Sequence, residues 1–175
     1  MDKRTIKWDR RYLELALFIS TWSKDPSTKV GAVLVGHNNR ILATGYNGFV
    51  FGADDDDELY QDRVYKYRHV VHAEANALMS MNFRSVGATM YCTMPPCFEC
   101  TKKIVYSECS NLVCLTYPEH DTQQRWTDDY TKAREYAYEN KLDWIEYDYT
   151  AITKGKRKTP ATIYNAKDSR FPRVR

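Results

Sequence analysis

Five short apolar runs, VGAVLVG, RILATGY, ATMYCT, NLVCLTY and WIEY, recur along the chain, and helix-length segments separate the later ones. This alternation constrains the fold more than any other feature. Strands joined through helices require crossovers, so part of the sheet they form is parallel, and a layered α/β fold is expected. The first two runs differ, because the Asn38-Asn39 pair between them predicts a tight antiparallel hairpin. Ahead of the hairpin, Tyr12, Leu13, Ala16, Leu17 and Ile19 recur at three- and four-residue steps. They predict a helix capped by Asp9 and ended before Asp25-Pro26. Further helices are predicted from near His72, from about Cys97 to Ser107, and from roughly Trp126 to Asn140. Between Asn47 and about Arg68, glycines and the acidic run Asp54 to Glu58 leave no clear period, which reads as a long functional or disordered loop.

The chain has 175 residues, 43% of them apolar, enough for one substantial core. Residues 1–150 are assigned to the domain and 151–175 to a basic extension packed on it or on an adjacent subunit. In that extension eight Lys or Arg stand against Asp168 alone, a net of +7, while the remaining 18 basic and 22 acidic side chains net −4. Such charge runs are usually solvated surface, so a nucleic-acid partner is not expected. No run approaches the roughly 18 apolar residues of a membrane span, and MDKRTIKWDRR lacks the apolar core of a secretion signal. The cysteines number five, two of them in PPCFEC, which fits a reducing, cytoplasmic setting better than a disulfide scaffold.

Polar chemistry concentrates at two predicted helix starts, His72-Ala73-Glu74 and Pro95-Pro96-Cys97-Phe98-Glu99-Cys100. Two cysteines three positions apart on a first helical turn face the same way and can reach one ion. One imidazole completes a three-donor set. Catalytic zinc uses three protein donors rather than four, because the open position holds water. The positive end of the helix favours the thiolates, and the prolines fix the chain entering the turn without removing a helical hydrogen bond. Glu74 stands two residues from His72, so the two cannot share a helix face. A site beyond the helix end removes that objection: His72 can ligate while Glu74 reaches the water as a proton carrier. Beside this stand a thioredoxin-like pair and a structural zinc completed by a fourth donor such as Cys92. Cys92, Cys109 and Cys114 otherwise read as small buried hydrophobes.

The pattern H-x-E with P-C-x-x-C is the signature of the zinc nucleobase deaminases. Within them the chain resembles deoxycytidylate (dCMP) deaminases over roughly residues 10–147. The resemblance rests on SKDPSTKVGAVLV, GYNG, the long insert before VVHAEANAL, and PPCFECTKKI. It implies a three-layer α/β/α fold around a central mixed sheet of about five strands. It also implies Zn²⁺ held by His72, Cys97 and Cys100. Glu74 would take a proton from the metal's water and deliver it to N3 of cytosine, and a further proton would leave with ammonia, giving dUMP for thymidylate synthesis. Backbone N–H groups of Ala73 or Glu74 would face the base carbonyl and Asn47 the sugar, and Tyr117 would stack on the base or line the pocket.

Two departures bear on the phosphate. Trp22 stands where many relatives carry Arg, and Phe49-Val50-Phe51 follows GYNG where Pro is frequent. Lys24, Lys29 or Arg68 would then supply the cation. The resemblance further implies a hexamer activated by dCTP and inhibited by dTTP, bound near Tyr46 and Gly48, with Mg²⁺ accompanying the triphosphate. The acidic run could position that Mg²⁺, although a solvated loop is the plainer reading. Other functions compatible with the sequence are a deaminase acting on dCTP instead of or as well as dCMP, a nucleic-acid deaminase, and a non-catalytic zinc-stabilised nucleotide-binding module.

Overall fold

The computed structural model describes residues 6–81, 85–117, 122–154 and 161–164. Its elements run α1 (Ile6–Ser20), β1 (Gly31–Val35), β2 (Ile41–Tyr46), α2 (Asp57–Gln61), α3 (Arg63–His69), α4 (Ala73–Met79) and β3 (Thr89–Cys92). They continue with α5 (Phe98–Tyr106), β4 (Asn111–Thr116), α6 (Thr122–Glu139), β5 (Asp143–Asp148), α7 (Tyr149–Thr153) and β6 (Ala161–Tyr164). The strands form one mixed sheet in the order β2-β1-β3-β4-β5-β6. β3, β4 and β5 pair in parallel, and every other neighbouring pair is antiparallel. Five strands lie in the region assigned to the domain. The sixth comes from the basic extension and pairs with β5, Trp144 opposite Tyr164. Residues 155–160 of the basic run lie outside the described residues.

The continuous apolar runs follow from burial of both sheet faces, since successive strand residues point to opposite sides. Ala32, Leu34, Met90, Leu112, Cys114 and Trp144 face one cluster, shared with Ala77 of α4, Ile104 of α5 and Ala133 and Ala137 of α6. Val33, Val35, Tyr91, Val113, Leu115 and Ile145 face the other, packed under Leu13 and Ala16 of α1 and Ile152 of α7. Helices therefore cover both faces, giving the expected three layers. No helix among the described residues is long and apolar enough to cross a membrane.

The hairpin forms at Asn38-Asn39, both with positive φ, 59° and 58°. Arg40 N–H closes it on the His37 carbonyl at 3.4 Å, the twist that a two-residue antiparallel turn needs. Asp9 is not the cap of α1. It lies inside the helix, 3% exposed, where the Tyr91 and Tyr147 hydroxyls donate to its carboxylate at 2.9 and 2.7 Å. Burial of its charge is supported by those donors rather than by a helix end.

The stretch from Asn47 to Arg68 is not structureless either. It holds α2 and α3, with Asp62 capping α3 by accepting from Val64 and Tyr65 N–H at 2.9 and 3.1 Å. Phe49 stacks on Tyr60 at 4.3 Å and meets Tyr65 edge-on. Helices of five and seven residues are too short to show a hydrophobic period, and they stand because aromatic packing holds them.

Gly45 places the first turn of α4 against β2. A methyl group there would lie 2.3 Å from the Ala73 carbonyl oxygen and 2.5 Å from the Ala77 nitrogen, both backbone atoms. Gly45→Ala is therefore expected to cost about 1–3 kcal/mol in denaturant unfolding. The backbone displaced belongs to α4, so the residues at the start of that helix should shift as well.

Candidate metal centre and cavity

His72 is the residue preceding α4 and Cys97 the residue preceding α5, so both helices begin at the same place. Each side chain lies one residue outside its helix, free of the helix face. Two further contacts aim them. Gly48 and Val71 exchange backbone hydrogen bonds at 3.1 and 2.8 Å, fixing the chain just before His72. Asp129 of α6 accepts the Phe98 N–H at 2.9 Å, fixing the chain just after Cys97.

The result is a three-donor cluster of His72, Cys97 and Cys100, with ligand atoms within 4.8 Å of one another. His72 Nδ1 lies 3.5 Å from each sulfur. A tetrahedral zinc with ordinary Zn–S and Zn–N bonds holds such atoms about 3.6 Å apart, so the spacing and the soft donors fit that ion. The donors share their protons unequally. The Cys97 thiol is held down to about 4 by the bond from Cys100, with the His72 ring adding to the effect. Cys100, facing that thiolate and buried, is pushed up, and His72 is raised to about 9 by its bond to Cys97. Holding a metal requires all three to be deprotonated, so zinc affinity should weaken as pH falls.

Glu74 occupies the first turn of α4, 4% exposed. Burial raises its carboxyl, favouring the protonated form, while the neighbouring His72 opposes that shift. An acid poised this way can both take and release a proton.

A cavity of about 520 Å³ opens where the two helices begin, and His72, Ala73, Glu74, Cys97 and Asn47 line it. The Asn47 side chain accepts from Val30 N–H at 2.7 Å and donates to the Thr28 carbonyl at 2.9 Å, tying the GYNG turn to the segment after Pro26. One amide hydrogen and one lone pair remain for a ligand.

Other expected residues fall elsewhere. Lys24 does not line the cavity, because its ammonium pairs with Asp55 of the acidic run at 2.8 Å on the surface. Tyr117 follows Val113 and Leu115 onto the α1 face by strand alternation and stacks on Tyr149 at 4.9 Å, away from the cavity lining. Lys29 donates to the Ser23 carbonyl at 2.7 Å, and neither it nor Arg68 is among the lining residues. Tyr46 is 37% exposed and meets Trp22 edge-on, and Gly48 sits beside the Tyr60 hydroxyl. Neither lines the cavity. His69 stacks on Tyr65 and bonds its carbonyl at 2.7 Å, a packing role on α3.

Tyr130 escaped the sequence reading. It is buried in the cavity wall, its phenol raised by burial and by the nearby Glu74 carboxylate. In sequence it falls on the same helical stripe as Ala133 and Ala137, which are core, so nothing local marks it as a wall residue.

Comparison with known proteins agrees with this geometry. Residues 6–116 match the family model for the cytidine and deoxycytidylate deaminase zinc-binding region. An uncharacterised deaminase in the luxG 3′ region of Aliivibrio fischeri is 38% identical over 120 residues, 69% of this chain and 80% of that protein. Human deoxycytidylate deaminase is 33% identical over 125 residues, 68% of this chain and 70% of the relative. Among solved structures, the dCMP deaminase of cyanophage S-TIM5, in complex with dCMP and dUMP, is similar at a TM-score of 0.67. Its sequence identity is 25%, covering 82% of this chain and 98% of that one. A family model spanning most of the chain, relatives matched over most of their length and three metal donors gathered at two helix starts lead to one assignment: this chain belongs to the cytidine and deoxycytidylate deaminase family.

Proposed function

We propose that the protein hydrolyses dCMP to dUMP with release of ammonia, in the cytoplasm, supplying a precursor of thymidylate. The observation that carries the reading is the meeting of His72 with Cys97 and Cys100 beside buried Glu74, in a cavity of about 520 Å³. That volume suits a small organic ligand. The names of the relatives support the substrate, as does the cyanophage neighbour's complex.

Held by the three donors, Zn²⁺ would supply a water acidified to a pKa near 7. Glu74 then carries the protons. In the overall reaction a C4–oxygen bond forms and the C4–amino bond breaks. Of the water's two protons, one ends on N3 and the other on the departing nitrogen, and the Glu74 carboxyl relays both. Backbone N–H groups of Ala73 or Glu74 orient the base carbonyl, because the first turn of a helix leaves such donors without intrahelical partners. Asn47 offers its remaining amide hydrogen to the sugar.

A substrate panel tests this. Ammonia release from cytidine, CMP, dCMP and dCTP should give the highest kcat/KM for dCMP. Preference for dCTP would replace the substrate. Zinc-loaded protein that binds nucleotides yet deaminates none would be a binding module instead.

The reading extends to assembly and control, as a hexamer activated by dCTP and inhibited by dTTP with Mg²⁺. Phe18, Trp22 and Tyr46 form an exposed aromatic row near Gly48, and Phe51 is fully exposed beyond it, an apolar surface that supports a subunit contact. Saturation curves for dCMP should shift left with dCTP and right with dTTP in the presence of Mg²⁺. Superimposable curves would reject the control.

A further inference from the structure

The geometry points to Arg63 and Lys66 of α3, with the Ser27 and Thr28 segment facing them, as the subsite for the 5′-phosphate of the nucleotide. This rests on reading the cavity as a deoxycytidylate site. Arg63, Lys66, Tyr67 and Val70 fall at positions three, four and seven apart, and all four line the cavity, so α3 lays one face along it. Arg63 and Lys66 are the Arg and Lys side chains among the described lining residues. The sequence had pointed instead to Lys24, Lys29 or Arg68.

Lys66 is the stronger observation, because an ammonium only 7% exposed must be held by partners. Its Nζ donates to Asp25 at 3.2 Å and to the Ser27 hydroxyl at 2.6 Å. An ammonium carries three donors, and the described residues account for two. Asp25 is meanwhile shared widely: the same carboxylate oxygen accepts from Ser27 N–H and Oγ, both at 2.8 Å, and from Thr28 N–H at 3.2 Å. Its charge organises the 25–28 turn, and Lys66 neutralises it. The ion pair therefore leaves one Lys66 N–H without a hydrogen-bond acceptor among the described residues, on a side chain that lines the cavity.

Arg63 adds the second charge. It makes no ion pair among the described residues, and a guanidinium matches a phosphate with two parallel N–H bonds. With the Lys66 charge balanced by Asp25, Arg63 supplies the net positive charge that meets the phosphate, and Lys66 contributes as a hydrogen-bond donor. The distance is also suitable. α3 runs into α4 through Val70 and Val71, so the Lys66 and His72 Cα atoms lie within roughly 15 Å, a span one nucleotide can bridge. Trp22 turns its ring to Phe18 and Tyr46 and is absent from the lining.

Calorimetric titration of the zinc-loaded protein with dUMP and with deoxyuridine reads the phosphate contribution as the ratio of the two Kd values. The protein should bind dUMP at least about tenfold more tightly. Arg63→Gln should reduce that ratio by about fivefold or more. The double variant Asp25→Asn/Lys66→Gln, which removes the buried pair as a unit, should bring it towards one. An unchanged ratio in Arg63→Gln overturns the assignment, as does equal affinity of the wild type for the two ligands. Arg63 is exposed and unpaired among the described residues, so its variant keeps the test decisive even if the double variant does not fold. Absence of ammonia release from dCMP would instead remove the deamination reading, while the binding ratio would still decide the phosphate assignment.

Discussion

Glu74→Gln is expected to lower dCMP turnover by about 10²–10⁴-fold while zinc content stays at about one ion per chain. Glutamine keeps the volume of the buried side chain and can still accept a hydrogen bond, but it cannot cycle between acid and base. No salt bridge among the described residues involves Glu74, so the substitution breaks no ion pair, and thermal stability should be retained. Loss of turnover with intact folding and intact metal then isolates the proton relay. Steady-state ammonia release, metal analysis and thermal melts on the same preparation make the comparison. Near-normal turnover at full zinc occupancy would assign the proton transfers to another group.

Removing a metal donor should act differently. Cys100 is 2% exposed in the first turn of α5, and Cys100→Ser replaces a thiolate with a hydroxyl that stays protonated at neutral pH. Zinc content should fall from about one per chain to near zero, with activity falling more than about 10³-fold. Stability should fall as well, because an ion held by these donors would join the starts of α4 and α5. At free zinc a thousandfold above Kd, metal binding adds about 4 kcal/mol, a Tm difference of roughly 10 °C for a domain of this size. Chelation of the wild type should reproduce both losses, and added Zn²⁺ should restore them. Full activity in the chelated protein would exclude a metal role at this cluster.

These two variants probe residues that were legible before any fold was known. His72, Glu74, Cys97 and Cys100 lie in two short segments, and the separation of two thiols by one helical turn is set by local geometry alone. The strand runs were equally legible, because burial on both faces leaves Ala32 to Val35 and Leu112 to Leu115 apolar without interruption. The hairpin followed from Asn38 and Asn39, which tolerate the left-handed backbone their turn requires. α2 and α3 were not legible, since their short lengths depend on Phe49 and Tyr60 stacking across the insert. Asp9 misled for a related reason. An acidic residue near a helix start looks like a cap, and only the arrival of Tyr91 and Tyr147 makes it a buried acceptor.

By itself, then, the chain's sequence determined which side chains can gather as metal donors, which carboxyl stands beside them, and an α/β sheet to carry them. Spacing within one turn of helix or one strand dictates such features, and neighbours along the chain suffice to read them. The tertiary structure decided what surrounds that chemistry. It brought the start of α4 to the start of α5, sent Tyr117 to the opposite face of the sheet, spent Lys24 on Asp55, and turned Arg63, Lys66 and Tyr130 into cavity wall. Each of these depends on contacts between segments distant in sequence. A residue's side of a wall is a property of packing, which no local pattern encodes.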